Sequence, residues 1–174
     1  PCYAVKAGMR VTRSLEDLIN CRGVILGEED YDWESTLNAA VNFFLSHPLA
    51  RLIVPNTDSH FLTRTGAVRM APGALAQLLV YVLAQCGMKL EPVFLGKPYQ
   101  PIFRHLHTTL ERRAARQLRP DRVLLIGDSL EADIRGGNAF GYRTALVLTG
   151  VTDIDATLRS NIRPTLIFAV LAAC

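Results

Sequence analysis

The sequence predicts an α/β protein built around a parallel sheet, with two segments of different character meeting near Glu91-Pro92. Three observations carry this. Short apolar runs alternate with segments of helical periodicity along the chain, which is how strands joined by crossover helices read. Several of the runs end in glycine or in a polar cluster, as strands do when they open onto a ligand edge. The length of 174 residues suits one domain, or a small domain plus part of another. The boundaries read as 1–91 and 92–174, with Glu91-Pro92 as the hinge.

The elements follow in order. Gly23-Val24-Ile25-Leu26-Gly27 reads as a short strand between glycines, followed by the polar loop Glu28–Asp32. From Trp33 to Ser46, Leu37, Ala40, Val41, Phe44 and Leu45 recur at helical spacing. His47-Pro48 stops that helix. Leu52-Ile53-Val54-Pro55 is the next strand, and it runs into Asn56-Thr57-Asp58-Ser59-His60. Pro72-Gly73 opens an apolar helix from Ala74 to about Cys86, closed by Gly87.

Beyond the hinge come a strand at Val93-Phe94-Leu95 and a helix from about Gln100 to Leu118. A buried-looking strand follows over 122–127, then a short helix from about Glu131 to Ala139 and the strand Thr144–Leu148. A doubly wound sheet has five or more strands, and 92–174 supplies two or three. Such a half-sheet has an open edge, to be covered by further chain or by a second copy.

Composition excludes several classes. Nearly half the residues are apolar (49%) and 20% are charged, so the chain is neither disordered nor fibrous. The net charge of +3 is too mild for a nucleic-acid footprint. Arg112, Arg113, Arg116 and Arg119 read as the solvated face of a helix whose other side carries Ile102, Phe103, Leu106, Leu110 and Leu118. The apolar end Leu166–Ala173 is far shorter than the ~20 residues of a membrane span and reads as a buried terminal strand or helix. Cys2, Cys21, Cys86 and Cys174 form no C-x-x-C pair. They read as reduced thiols of a cytoplasmic protein rather than a disulfide frame or zinc site. Pro1-Cys2-Tyr3 has no basic leader ahead of an apolar core, so no signal peptide is expected.

Chemistry concentrates in two places. Leu95-Gly96-Lys97-Pro98 sets a lysine at a corner before a helix. Val123-Leu124-Leu125-Ile126-Gly127-Asp128 ends a strand in a carboxylate, and Asp133 stands five residues on. A hard cation accepts one or two carboxylates and keeps waters. A lysine beside it neutralises phosphate and carboxylate together. On spacing alone, Lys97 also fits a solvated surface residue, Asp128 a helix N-cap, and Asp133 a local pair. Gly127 reads as the residue that lets the chain turn sharply.

Gly127-Asp128-Ser129-Leu130 also spells a serine-esterase tetrapeptide. That chemistry needs a histidine base near the carboxyl terminus. His47, His60, His105 and His107 all precede Ser129. Metal readings of His60 with Asp58, or of His105 with His107, are weaker than the polar-loop reading, because an i, i+2 pair does not share a helix face.

The segments Leu95–Pro98, Ile126–Ile134 and Thr144–Val151 resemble the third and fourth motifs and the next strand of haloacid-dehalogenase-like phosphatases. The subgroup they resemble most carries a large α/β cap: phosphoglycolate, p-nitrophenyl phosphate and nucleotide monophosphate phosphatases. Gly27–Asp30, Asn56–Asp58 and Pro72–Leu75 resemble landmarks of that cap, in the right order. The resemblance implies the carboxy-terminal half of a Rossmann-like core over 92–174 behind an α/β cap over 1–91. It implies Lys97 and Asp133 as catalytic residues, Asp128 as a Mg²⁺ ligand, and Asn56 and Asp58 as substrate-binding residues. Thr57 stands where the family usually has proline. The family's first motif, Asp-x-Asp-Gly, supplies its nucleophile and is not found; Asp30-Tyr31-Asp32-Trp33 has the spacing without the glycine. The expectation is thus a Mg²⁺-dependent phosphatase portion acting on a small phosphorylated metabolite, without nucleic acid or membrane. The chain alone is expected to be inactive. The alternative is a non-catalytic binding or assembly module, stable as a homodimer.

Overall fold

A computed structural model describes residues 3–28 and 32–171, with the backbone alone at Tyr3 and Leu62. Glu29, Asp30 and Tyr31, part of one cap landmark and of the Asp-x-Asp segment, lie outside the described residues, as do Cys2 and Cys174. The chain divides into two compact units, Pro1–Val93 and Phe94–Cys174.

The first unit begins with a single helical turn, α1 (Tyr3–Lys6), and a 3₁₀ turn at Glu16–Asn20. Strand β1 (Gly23–Ile25) then pairs in parallel with β2 (Arg51–Val54), Val24 opposite Leu52. Between them runs α2 (Trp33–Ser46). Asp32 starts α2 by accepting the Glu34 N–H at 3.2 Å, the ordinary duty of a helix N-cap. The third strand of this sheet is β5 (Val93–Phe94), in the order β1-β2-β5. A hairpin that the sequence reading did not foresee, β3 (His60–Leu62) with β4 (Val68–Met70), follows β2. Its exposed side chains offer too little alternation to signal it. Helix α3 (Pro72–Gln85) packs on α2. Phe43, Phe44, Leu52, Val54, Leu75, Ala76, Leu79 and Leu83 make the core, all buried.

The second unit holds a three-stranded parallel sheet of order β6-β7-β8: β6 (Leu124–Gly127), β7 (Arg143–Val147) and β8 (Leu166–Phe168). Helix α4 (Gln100–Ala114) precedes it. A π-helical turn at Leu130–Ile134 and α5 (Arg135–Phe140) link β6 to β7, and α6 (Ile154–Arg159) links β7 to β8. Leu130, Ile134 and Leu146 form the buried centre. Phe103, Phe140 and Tyr142 build an aromatic cluster beside it, Phe140 and Tyr142 edge-on at 4.9 Å.

Several expectations shift. The helix expected to reach Leu118 ends at Ala114, because Ala115 adopts a left-handed φ of 50° and its N–H bonds back to Glu111 and Arg112 carbonyls. Arg116 and Arg119 therefore leave the helix, and Arg119 forms a two-point pair with Asp121. The strand expected to be buried, β6, is half-exposed at Leu124 and Ile126 (44% and 46%), since among the described strands it pairs on one side only. The terminal run forms a strand as expected. Leu166 and Ile167 on it are likewise exposed rather than buried. Among the described residues, no helix is long and apolar enough to cross a membrane.

Candidate active site

Past the carboxyl end of β6 the second unit brings a lysine and a buried carboxylate together. Asp133 sits inside the π-helical turn and is buried. Its Oδ1 accepts Lys97 Nζ at 2.6 Å, and its Oδ2 accepts the Ser129 N–H at 3.2 Å. The pair is lopsided: the Lys97 side chain is 50% exposed and that of Asp133 only 7%. A charge-assisted bond of this length holds the ammonium group while half of it faces water.

Local geometry explains why the sequence places these groups so. A Cβ on Gly127 would overlap the Asp133 carboxylate. Gly127 does not need a positive φ, so its task is a close approach rather than the sharp turn that the sequence suggested. Lys97 sits in a turn closed by the Tyr99 N–H on the Gly96 carbonyl at 3.0 Å. The turn is braced by the Phe94 and Tyr99 rings, stacked at 4.7 Å. Gly136, on α5, lies directly against the Pro98 backbone and the Phe103 ring, with no space for a side chain. Pro101, not Pro98, occupies the first turn of α4.

The N-cap that was the alternative reading of Asp128 belongs to Ser129, whose Oγ accepts the Ala132 N–H at 3.1 Å. Ser129 is thus a capping residue, which agrees with rejecting a serine nucleophile. Asp128 is half-buried and turns to the loop after β7, where its Oδ2 accepts the Val151 N–H at 3.1 Å. A Cβ on Gly150 would occupy the Asp128 carboxylate. Next in the chain, buried Thr152 accepts the Leu130 N–H through Oγ1 at 3.3 Å. The sequence reading missed Gly150, Val151 and Thr152. A glycine and a threonine after an apolar strand look like any loop, and only the fold brings them to Asp128.

Oxygen donors suit Mg²⁺, which keeps waters and needs few carboxylates. Asp128 offers such a carboxylate in a cradle that a side chain at Gly150 would fill. The residues therefore fit the ion through one direct ligand. Among the described residues, no three His, Cys, Asp or Glu side chains gather as a fuller cage.

In the first unit, Asn56 and Asp58 lie between β2 and β3. Asn56 Oδ1 accepts the Asp58 N–H at 2.9 Å, and its amide donates to Glu28 Oε1. The Asp58 carbonyl accepts the Gly73 N–H at 2.9 Å, and Gly73 has no room for a Cβ against the Thr57 and Asp58 carbonyls. The loop is therefore pinned from two sides, although Thr57 replaces the proline of the family pattern.

His107 is structural. Its Nε2 lies 3.0 Å from the Leu118 carbonyl, which can only accept, so that nitrogen carries the proton in the assigned tautomer. Its Nδ1 faces Tyr142 OH at 3.2 Å. Burial, with Glu111 nearby, pushes the Tyr142 hydroxyl above its ordinary value.

Comparison with known proteins gives this geometry a family. Residues 94–174 match the HAD-hydrolase-like family model. Over 168 residues the chain is 29% identical to the ribonucleotide monophosphatase NagD of Escherichia coli (strain K12), covering 96% of this chain and 58% of that protein. Over 143 residues it is 30% identical to the dihydroxyacetone phosphatase of Corynebacterium glutamicum (strain R), covering 82% and 46%. A possible sugar phosphatase of the HAD superfamily from Cytophaga hutchinsonii superposes with a TM-score of 0.72 at 32% identity, over 88% of this chain and 53% of that one. The chain spans about half the length of the curated relatives it matches. With the lysine, two carboxylates and strand order already described, these likenesses place residues 94–174 with the haloacid-dehalogenase-like hydrolases.

Proposed function

We propose that this chain carries the charge-stabilising part of a Mg²⁺-dependent phosphoric monoester hydrolase acting on a small phosphorylated metabolite. The observation that carries the reading is the 2.6 Å pair of Lys97 with buried Asp133, one strand end from Asp128. In this reading Lys97 binds a phosphoryl oxygen and balances its charge, and Asp133 aims the ammonium group. Asp128 would hold Mg²⁺, which when bound supplies further positive charge to the phosphoryl oxygens. Residues 1–91 act as the cap, and Asn56 and Asp58 contact the substrate from their pinned loop. The reduced thiols suit a cytoplasmic setting.

The family resemblance supplies the remaining step. An aspartate of an Asp-x-Asp-Gly motif attacks phosphorus and the ester oxygen leaves with a proton. Water then cleaves the aspartyl-phosphate to release inorganic phosphate. No Asp-x-Asp-Gly occurs in residues 1–174. Asp32 of the Asp30-Tyr31-Asp32 segment caps α2 instead. Losing a nucleophile costs many powers of ten in rate, so residues 1–174 alone should turn over no p-nitrophenyl phosphate. Turnover that Asp128→Asn abolishes would overturn that.

A second reading, an assembly module derived from such an enzyme, is favoured by the half-exposed Leu124 and Ile126 on the outer strand β6. Coverage of that edge by a second copy predicts a stable dimer in light scattering. An Asp-x-Asp-Gly encoded upstream of Pro1 would favour the enzyme.

A further inference from the structure

We infer that the loop after β7, Gly150-Val151-Thr152, is a clamp that fixes the Asp128 carboxylate for cation binding, with Gly150 and Thr152 as positioning residues. This rests on the proposed role of Asp128 as the metal ligand.

The clamp has three independent parts. The Val151 N–H holds Asp128 Oδ2 at 3.1 Å, which sets the plane of the carboxylate. Gly150 has no side chain where a Cβ would collide with Asp128 Cβ, Cγ and Oδ2 together. The backbone fixes the Asp128 Cβ, so no change of side-chain rotamer relieves that part of the collision. Thr152 Oγ1 takes the Leu130 N–H at 3.3 Å and thereby ties the loop to the segment just beyond Asp128. Both ends of that tie are buried. The loop thus holds Asp128 and the residues just beyond it across 22 to 23 residues of sequence.

Among the described residues Asp128 is the one carboxylate proposed to hold the cation directly, so its aim depends on the groups that position it. Groups that orient metal ligands typically cost 10–100-fold in affinity when lost. Gly150→Ala should therefore weaken cation binding about tenfold or more. Thr152→Val, which keeps the shape and removes the acceptor, should weaken it less, and Thr152→Ser should restore it.

The test is Mn²⁺ titration of the 174-residue chain, read as paramagnetic broadening of backbone amide signals, which detects weak sites without turnover. Wild type should lose the Ser129 and Val151 signals first. Gly150→Ala should need about ten times more Mn²⁺ while the amides of β7 keep their positions. If Asp128→Asn leaves the broadening unchanged, the metal role of Asp128 fails, and this inference with it. If Asp128→Asn abolishes it but Gly150→Ala and Thr152→Val both titrate like wild type, the clamp alone is refuted. Should Gly150→Ala unfold the unit, Thr152→Val against Thr152→Ser decides: equal Mn²⁺ binding by the two would overturn the clamp.

Discussion

The Lys97–Asp133 pair makes a directional prediction, because its two ends sit in different environments. Asp133 is 5% exposed, and it receives two donors, Lys97 Nζ and the Ser129 N–H. Replacing it with asparagine leaves one acceptor oxygen for two donors and turns an NH₂ toward the other. The mismatch of buried donors should cost about 2–4 kcal/mol. Lys97→Met removes the charge at the half-exposed end. The carboxylate keeps its Ser129 bond and water can reach the vacated side, so the loss should be about 1–2 kcal/mol, below the range for a fully buried pair. The assay is urea unfolding followed by amide NMR, which reads the second unit separately; Trp33 lies in the first and reports only there. Asp133→Asn should unfold the second unit at lower urea than Lys97→Met. Equal effects, or a larger one from Lys97→Met, would refute the view that Asp133 is the anchored end.

Other perturbations test separate parts. Gly127→Ala should displace the Asp133 carboxylate and cost about 2–4 kcal/mol, with loss of the Lys97 pair visible in the Lys97 amine NMR signal. Phe44→Ala, at a fully buried position on α2, should cost the first unit about 3–5 kcal/mol, read by Trp33 fluorescence in urea. Tyr142 sets a pH dependence. Burial raises its hydroxyl in the folded state, so the unfolded chain ionises first. Its contribution is intact below pH about 10 and is lost as pH rises through the higher folded value. Wild type should therefore lose stability with rising pH faster than Tyr142→Phe in that window; parallel curves would refute the burial argument.

Much of this was legible in the sequence because strand ends and helix periods are local signals. Val123–Asp128 announced a strand ending in a carboxylate, and Trp33–Ser46 announced a helix to the residue. The resemblance gives Lys97 and Asp133 separate roles, and the 2.6 Å contact brings the two side chains together. What stayed hidden was non-local. Gly127 looked like a turn glycine, yet its reason is Asp133. Gly150, Val151 and Thr152 carried no motif, since their meaning lies in reaching Asp128 from another loop. The strands of hairpin β3–β4 are three residues each, too short to show an alternation. The depth of Leu124 and Ile126 was misread because apolar identity says nothing about which neighbours a strand has.

If Lys97, Asp128 and Asp133 serve one phosphate-and-cation pocket at the end of β6, inorganic phosphate added to the 174-residue chain with Mg²⁺ must register at all three in amide NMR. The prediction is a single set of shifts confined to 96–98 and 127–133, lost in both Lys97→Met and Asp128→Asn. Shifts clustering elsewhere, or surviving either substitution, would contradict it.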